Sequence, residues 1–287
     1  MSSCKHPIRA FRNASGGLTF RPDDADKAVA TFTVPCGQCV GCRLKRSREW
    51  SVRIMHECAF HERSSFLTMT YRHDELPENH SLHHRHFQLF MKRLRKSLGG
   101  KRVKYFVAGE YGEKLKRPHY HAILFGHWFP DSTKLLLSES GHWLYRSDVL
   151  DRLWGHGFCQ IGTVSHESAQ YVAKYCLKKI TGSRAKDHYG VRVPEYATMS
   201  NGIGLEWITQ YVDEVYSNDE VIANGHPLKP PRYYDKYLEK IDPDRFEEVK
   251  RERNAVDVSR IRETRPERLQ VQEEVLERRT KLFGGRE

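Results

Sequence analysis

The stretch Arg117-Pro118-His119-Tyr120-His121-Ala122-Ile123-Leu124-Phe125-Gly126 constrains the fold most. Its β-branched and aromatic residues, closed by a glycine, predict a strand. Strand side chains alternate faces with a period of two, so His119 and His121 point the same way. Upstream, Arg102 to Tyr111 predicts a second strand, and only the loop from Gly112 to Pro118 separates the two. They should pair as an antiparallel hairpin. Setting Glu110 opposite His119 puts Ala108 opposite His121 and Phe106 opposite Ile123. That register gathers a carboxylate and two imidazoles on one face, and a one-residue slip would turn Glu110 to the other side. Two imidazoles and a carboxylate offer mixed nitrogen and oxygen donors with open positions, suited to Mg²⁺ or Mn²⁺. Two surface histidines beside an ordinary hairpin glutamate are the structural alternative.

Cysteines supply a second constellation, Pro35-Cys36-Gly37-Gln38-Cys39-Val40-Gly41-Cys42. Cys-x-x-Cys spacing with glycines between is how a knuckle turns around zinc. Three thiolates need a fourth ligand, for which Cys4 is the first candidate and His6 the second. Such a closed site would hold structural Zn²⁺; reduced thiols at a tight turn are the alternative. Seven cysteines, an odd number, without an apolar signal core argue against disulfides and for a soluble intracellular protein. The formal charge of +11 points to a polyanionic partner. From Arg232 onward basic and acidic residues nearly balance, so the excess belongs to the body of the chain and not to its tail.

Taken in order, residues 1–62 predict an irregular, poorly packed N-terminal arm, the cysteine knuckle and a helix from about Arg43 to Arg63. Arg43, Lys45, Arg46 and Arg48 load its first turns, against the helix dipole. Residues 63–230 predict the main core. Ser65 to Tyr71 is a strand, with Phe66, Thr68 and Thr70 on one side and Leu67, Met69 and Tyr71 on the other. Leu82 to Leu98 is a helix with Leu82, His86, Leu89, Phe90 and Leu94 on its core face, stopped by Gly99-Gly100. Residues 127–156 are mixed, with a short helix from Ser147 to Trp154. Gly157 to Val164 is a strand. Ser165 then caps a helix running to about Ile180. Residues 231–287 form a charged extension with helical stretches at Asp244–Arg253 and Arg265–Phe283, read as solvated helix or partly disordered tail, or else as a partner-binding helix.

The helix after Ser165 carries Tyr171 and Tyr175, four apart and therefore on one face. Paired tyrosines at this spacing are commonly core or interface aromatics. Here Ala169, Val172, Ala173, Cys176 and Ile180 already supply an apolar face. A tyrosine beside a divalent metal and a lysine, Lys174, suits a nucleophile, because its phenol must lose a proton to attack.

Together, Phe66-Leu67-Thr68-Met69-Thr70-Tyr71, Pro118-His119-Tyr120-His121 and Tyr171-Val172-Ala173-Lys174-Tyr175 resemble the HUH endonucleases. Their order is similar to that in the replication initiation proteins of the Microviridae, small single-stranded DNA phages. The gokushovirus-type branch is similar also at the cysteine knuckle, at Gly109-Glu110-Tyr111-Gly112 and at Pro231-Arg232-Tyr233-Tyr234. The resemblance implies an α+β fold: a central antiparallel sheet backed by helices, related to the RRM or ferredoxin-like arrangement. It implies a rolling-circle initiator in which a metal at His119, His121 and Glu110 polarises the scissile phosphate of single-stranded DNA at the viral origin. Tyr171 or Tyr175 would attack phosphorus, leaving a 5′-phosphotyrosine and a 3′-OH primer, with Lys174 stabilising charge. Host helicase and polymerase would be partners, in the bacterial cytoplasm. A relaxase or single-strand transposase of the same superfamily, or a zinc-stabilised nucleic-acid-binding protein without catalysis, are the competing functions.

Overall fold

The computed structural model describes residues 4–21, 28–112, 114–138, 141–178, 184–255 and 265–284, with backbone only at 175–178, 184 and 280–284. The chain forms two compact units, Met1–Arg46 with Lys250–Glu287, and Ser47–Val249.

The larger unit is built on a seven-stranded antiparallel sheet. Its strands are β4 (Ser65–Thr70), β5 (Lys104–Tyr111), β6 (Pro118–Phe125), β7 (Thr133–Leu137), β8 (Trp143–Arg146), β9 (Cys159–Thr163) and β10 (Tyr196–Met199). The spatial order is β10-β5-β6-β4-β9-β8-β7. Within it, β5-β6-β4-β9 is the ferredoxin-like order, the helices α2 (His84–Ser97) and α3 (Asp148–Trp154) lying in the β4–β5 and β6–β9 connections. The α+β class and the helix-backed antiparallel sheet are as the sequence predicts.

Alternation along β4 and β6 divides the core in two. Leu67, Met69, Tyr120, Ala122 and Leu124 pack with Phe87, Phe90, Met91 and Leu94 of α2 and Leu150 and Trp154 of α3. The opposite side sets Phe106, Ala108, Ile123 and Phe125 against Ile54 of α1 (Val40–Cys58) and Ala169 and Val172 of α4 (His166–Lys178). Ser165 caps α4, its Oγ accepting the Ser168 N–H at 3.2 Å. Ile180 lies outside the described residues and the Cys176 side chain is not described. A short helix, α5 (Arg184–Tyr189), precedes β10. A third cluster joins α6 (Leu205–Asn218) and α7 (Arg232–Ile241) through Ile208, Val215, Tyr234 and Leu238. The Pro231–Tyr234 segment thus serves packing: Tyr234 is fully buried and bonds His56 Nδ1 at 2.9 Å.

Three expectations are corrected. The N-terminal arm is not irregular, because β1 (Ile8–Arg12) pairs with β2 (Leu18–Thr19) and β3 (Ala30–Val34) in an antiparallel sheet. The acidic loop at 23–26 lies outside the described residues. Helix α2 starts at His84 and buries Phe87 and Met91 where His86 and Leu89 were expected. Burying a phenylalanine contributes about 1.5–3 kcal/mol, which a half-buried imidazole cannot match, and His86 instead meets the Tyr71 hydroxyl at 2.9 Å. The C-terminal extension is not merely solvated. Helix α8 spans Pro243–Asn254 and α9 spans Pro266–Gly284. Within its compact unit α9 receives Lys5 Nζ at Gln272 Oε1 (2.6 Å), meets His6 at Glu273 (2.5 Å), and buries Leu269. Among the described residues no helix is long and apolar enough to cross a membrane.

Candidate metal and nucleophile site

The β5–β6 hairpin has the register the sequence predicts: Glu110 opposite His119, Ala108 opposite His121, Phe106 opposite Ile123. The loop that fixes it is closed by Gly112 N–H to Arg117 O and Lys116 N–H to Gly112 O, both at 3.0 Å. Glu110 Oε1 lies 2.7 Å from His119 Nε2 and 3.1 Å from His121 Nε2. Glu110 is 3% exposed while the His119 side chain is 17% exposed, so the site is open on the His119 side. Burial alone would raise the Glu110 pKa, but the two imidazoles hold its carboxyl well below the usual carboxylate range.

The outer nitrogens of both histidines are engaged. His119 Nδ1 is 3.2 Å from the Arg117 carbonyl, and His121 Nδ1 is 3.1 Å from Thr68 Oγ1. The Arg117 carbonyl can only accept, so His119 carries its proton on Nδ1 and turns the Nε2 lone pair inward. Thr68 allows the same tautomer at His121. This is how metal-bound histidines are oriented in proteins. The donor atoms of Glu110, His119 and His121 lie within 4.8 Å of one another, so the residues fit a divalent cation. Thr68 was not singled out from the sequence as a supporting residue. Its signal was its place on β4, which pairs with β6 so that Thr68 stands opposite His121.

Tyr171 is half-buried, its ring edge-on to His121 with centroids 5.1 Å apart at 84°, and edge-on to Phe66 at 6.3 Å. The phenol is therefore carried by α4 to the same sheet face as the histidines. Lys174 is exposed on that helix, and the Tyr175 side chain lies outside the described residues.

The cysteine knuckle forms a second cluster, in the smaller unit. The sulfurs of Cys4, Cys36, Cys39 and Cys42 lie within 4.8 Å of one another, whereas His6 turns to Glu273. Lys5 N–H donates to Cys39 Sγ at 3.3 Å, Cys36 N–H to Cys4 Sγ at 3.2 Å and Cys39 N–H to Cys36 Sγ at 3.3 Å. Burial pushes the Cys4 and Cys42 thiols up; at Cys39 it is outweighed by donated hydrogen bonds, Lys5 N–H first, and the thiol falls to about 6. A cation is what would let all four ionise together. Four sulfurs in this arrangement suit tetrahedral zinc. Among the described residues the cysteines form no disulfide.

Comparison with known proteins follows the same residues. Residues 64–180, from β4 through α4, match the family model of the replication-associated protein ORF2. The replication-associated protein VP4 of Bdellovibrio phage phiMH2K is 34% identical over 253 residues, covering 85% of this chain and 80% of that protein. The chain belongs to this family of phage replication-associated proteins. Replication-associated protein ORF2 of Spiroplasma virus 4 is 34% identical, over 82% of this chain and 77% of its own length. ORF4 of Chlamydia phage 1 is 33% identical over 74% of this chain and 55% of its own length. No solved structure matches. The family-matched span contains Glu110, His119, His121, Tyr171 and Lys174, and the cysteine cluster precedes it.

Proposed function

We propose that this protein initiates rolling-circle replication by nicking and rejoining single-stranded DNA at the phage origin, with Tyr171 as the first nucleophile. The observation that carries this is the phenol of Tyr171 packed against His121, itself part of the Glu110–His119–His121 donor set. Membership of a phage replication-associated family supports the setting.

Glu110, His119 and His121 would hold Mg²⁺ or Mn²⁺, which supplies Lewis-acid stabilisation of the charge on a phosphate oxygen. Tyr171 is the chain's own contribution to bond making. Its phenolate oxygen forms a bond to phosphorus as the P–O3′ bond breaks, so the phosphate stays on the protein and the freed 3′-oxygen takes a proton. Ionising a phenol of pKa ~10 at pH 7 costs about 4 kcal/mol. Lys174, three residues along the same helix, is within reach to offset part of that cost with its positive charge. Tyr175, one turn further, would accept the chain in the next round and release a circle. The cysteine cluster would bind structural Zn²⁺, apart from the chemistry. The protein would act in the bacterial host cell with host helicase and polymerase.

The test mixes purified protein with origin-bearing single-stranded circular DNA and Mn²⁺. An SDS-resistant protein–DNA band is expected, absent with EDTA and absent in Tyr171→Phe/Tyr175→Phe. Tight DNA binding with no such band would leave a non-catalytic nucleic-acid-binding protein.

A further inference from the structure

Phe158 is 68% exposed, yet its backbone is among the most firmly tied in the sheet. Its carbonyl accepts Thr70 N–H at 3.0 Å and Thr70 Oγ1 at 2.8 Å. One step away, Arg72 N–H donates to His156 O at 2.8 Å. Gly157, between them, sits where a Cβ would lie 2.3 Å from Thr70 O, so only glycine lets the two segments approach this closely. Rigid backbone under an exposed aromatic ring is a mount, not a loose surface side chain.

The register says where the mount faces. Met69 pairs with Cys159, which continues to Thr70 beside Phe158, and Thr70 pairs with His119, which pairs with Glu110. Cys159 is buried in the core on the α2 side. By alternation Phe158 therefore belongs to the opposite face, in one row with Thr70, His119 and Glu110. Strands are spaced about 4.8 Å apart, so Phe158 stands two strands, about 10 Å, from His119. The loop at this same end of the sheet carries Lys114 and Lys116, both exposed, and Arg117, which precedes the His119 strand.

We propose that Phe158 is a stacking platform for a base of single-stranded DNA whose backbone crosses the Glu110–His119–His121 site, with the Lys114–Arg117 loop facing its phosphates. This deepens the reading of that site as one for single-stranded DNA, and rests on it. The chemistry fits the occupant: a flat apolar ring for a base, cations for the backbone, and a ring exposed only on the side of the sheet that carries the donor set. Stacking on an aromatic accepts any base, so Phe158 positions the strand without reading its sequence.

The test measures oligo(dT) binding by fluorescence anisotropy in EDTA, so that no cleavage intervenes, beside an abasic oligomer of equal length. Phe158→Ala, Phe158→Leu and Phe158→Trp are compared with wild type, each first checked for an unchanged melting transition. Stacking predicts that Phe158→Ala weakens oligo(dT) binding about 5- to 150-fold, that Phe158→Leu is nearly as weak, and that Phe158→Trp keeps or improves affinity. The abasic oligomer should be bound equally by all four. Equal weakening on both oligomers, or no weakening by Phe158→Ala, overturns the proposal. If wild type nicks origin DNA while Phe158→Ala binds oligo(dT) normally, the platform fails and the nicking function stands. If wild type binds neither oligomer, both fail.

Discussion

Substituting Gly157 by alanine tests how the edge of the site is held. The added Cβ would lie 2.3 Å from Thr70 O, 2.7 Å from Arg72 N and 2.8 Å from the Tyr71 carbonyl carbon. All three are backbone atoms, which cannot swing aside like a flexible side chain. The segments must part by roughly 1 Å to reach an ordinary contact. The bonds at stake are Thr70 N–H and Oγ1 to Phe158 O and Arg72 N–H to His156 O. At a net ~1 kcal/mol each, losing two or three costs about 2–3 kcal/mol, in line with overpacking a close-packed site. In a unit of this size 1 kcal/mol moves Tm by about 2–4 °C. Gly157→Ala should therefore melt about 4–12 °C below wild type by calorimetry. Because Thr70 stands opposite His119, DNA nicking measured well below the transition should fall as well. A variant melting within about 1 °C of wild type would refute the claim that this approach is tight.

Thr68→Ala removes the partner of His121 Nδ1 and should weaken Mn²⁺ binding about 10- to 100-fold by titration calorimetry, with the fold retained because Thr68 is only half-buried. Purified under reducing conditions, the protein should contain zinc in equimolar amount by elemental analysis, and Cys39→Ser should lose it and melt earlier. Burial would raise the Glu57 pKa, but hydrogen bonds from Lys104 (2.7 Å), Gly204 N–H (2.8 Å) and His61 (3.1 Å) hold it below the ordinary value. A carboxylate depressed on folding stabilises fully above the unfolded pKa of ~4.3, and the gain is lost as pH falls through the folded value. Glu57→Gln should thus cost about 2 kcal/mol at pH 7, and melting curves recorded against pH should show that gap narrow below about pH 4.

Much of the site was legible in the sequence because one short hairpin encodes it. The loop from Gly112 to Arg117 is too short to permit many registers, and the period of two did the rest, so Glu110, His119 and His121 fell on one face. Burial along β4 likewise follows the alternation of its residues. The helix spacing that put Tyr171 and Tyr175 on one face said nothing about what that face meets; only the packing of α4 on the sheet brings Tyr171 to His121. Elements lacking a period were missed. All five residues of β7 are exposed at the sheet edge, so they carry no apolar alternation. In the N-terminal sheet, β2 has two residues, and β1 buries the adjacent pair Ala10 and Phe11. Helix α2 was displaced because Leu82, apolar and buried, lies in the extended lead-in, where its N–H donates to Tyr111 Oη at 3.0 Å, and not on the helix face. Phe158 looked like one more strand residue; its importance comes from the pairing of strands distant in sequence.

The most direct test of the central claim locates the covalent bond. Trypsin cuts after Arg152, Lys174 and Lys178, so Tyr171 and Tyr175 leave on different peptides, 153–174 and 175–178. The protein is incubated with origin-bearing single-stranded DNA and Mn²⁺, digested with nuclease and trypsin, and analysed by mass spectrometry. A nucleotide mass on the 153–174 peptide is predicted, lost in Tyr171→Phe and in Glu110→Gln. A nucleotide on neither peptide, or only on 175–178, would contradict Tyr171 as the nucleophile of the Glu110–His119–His121 site.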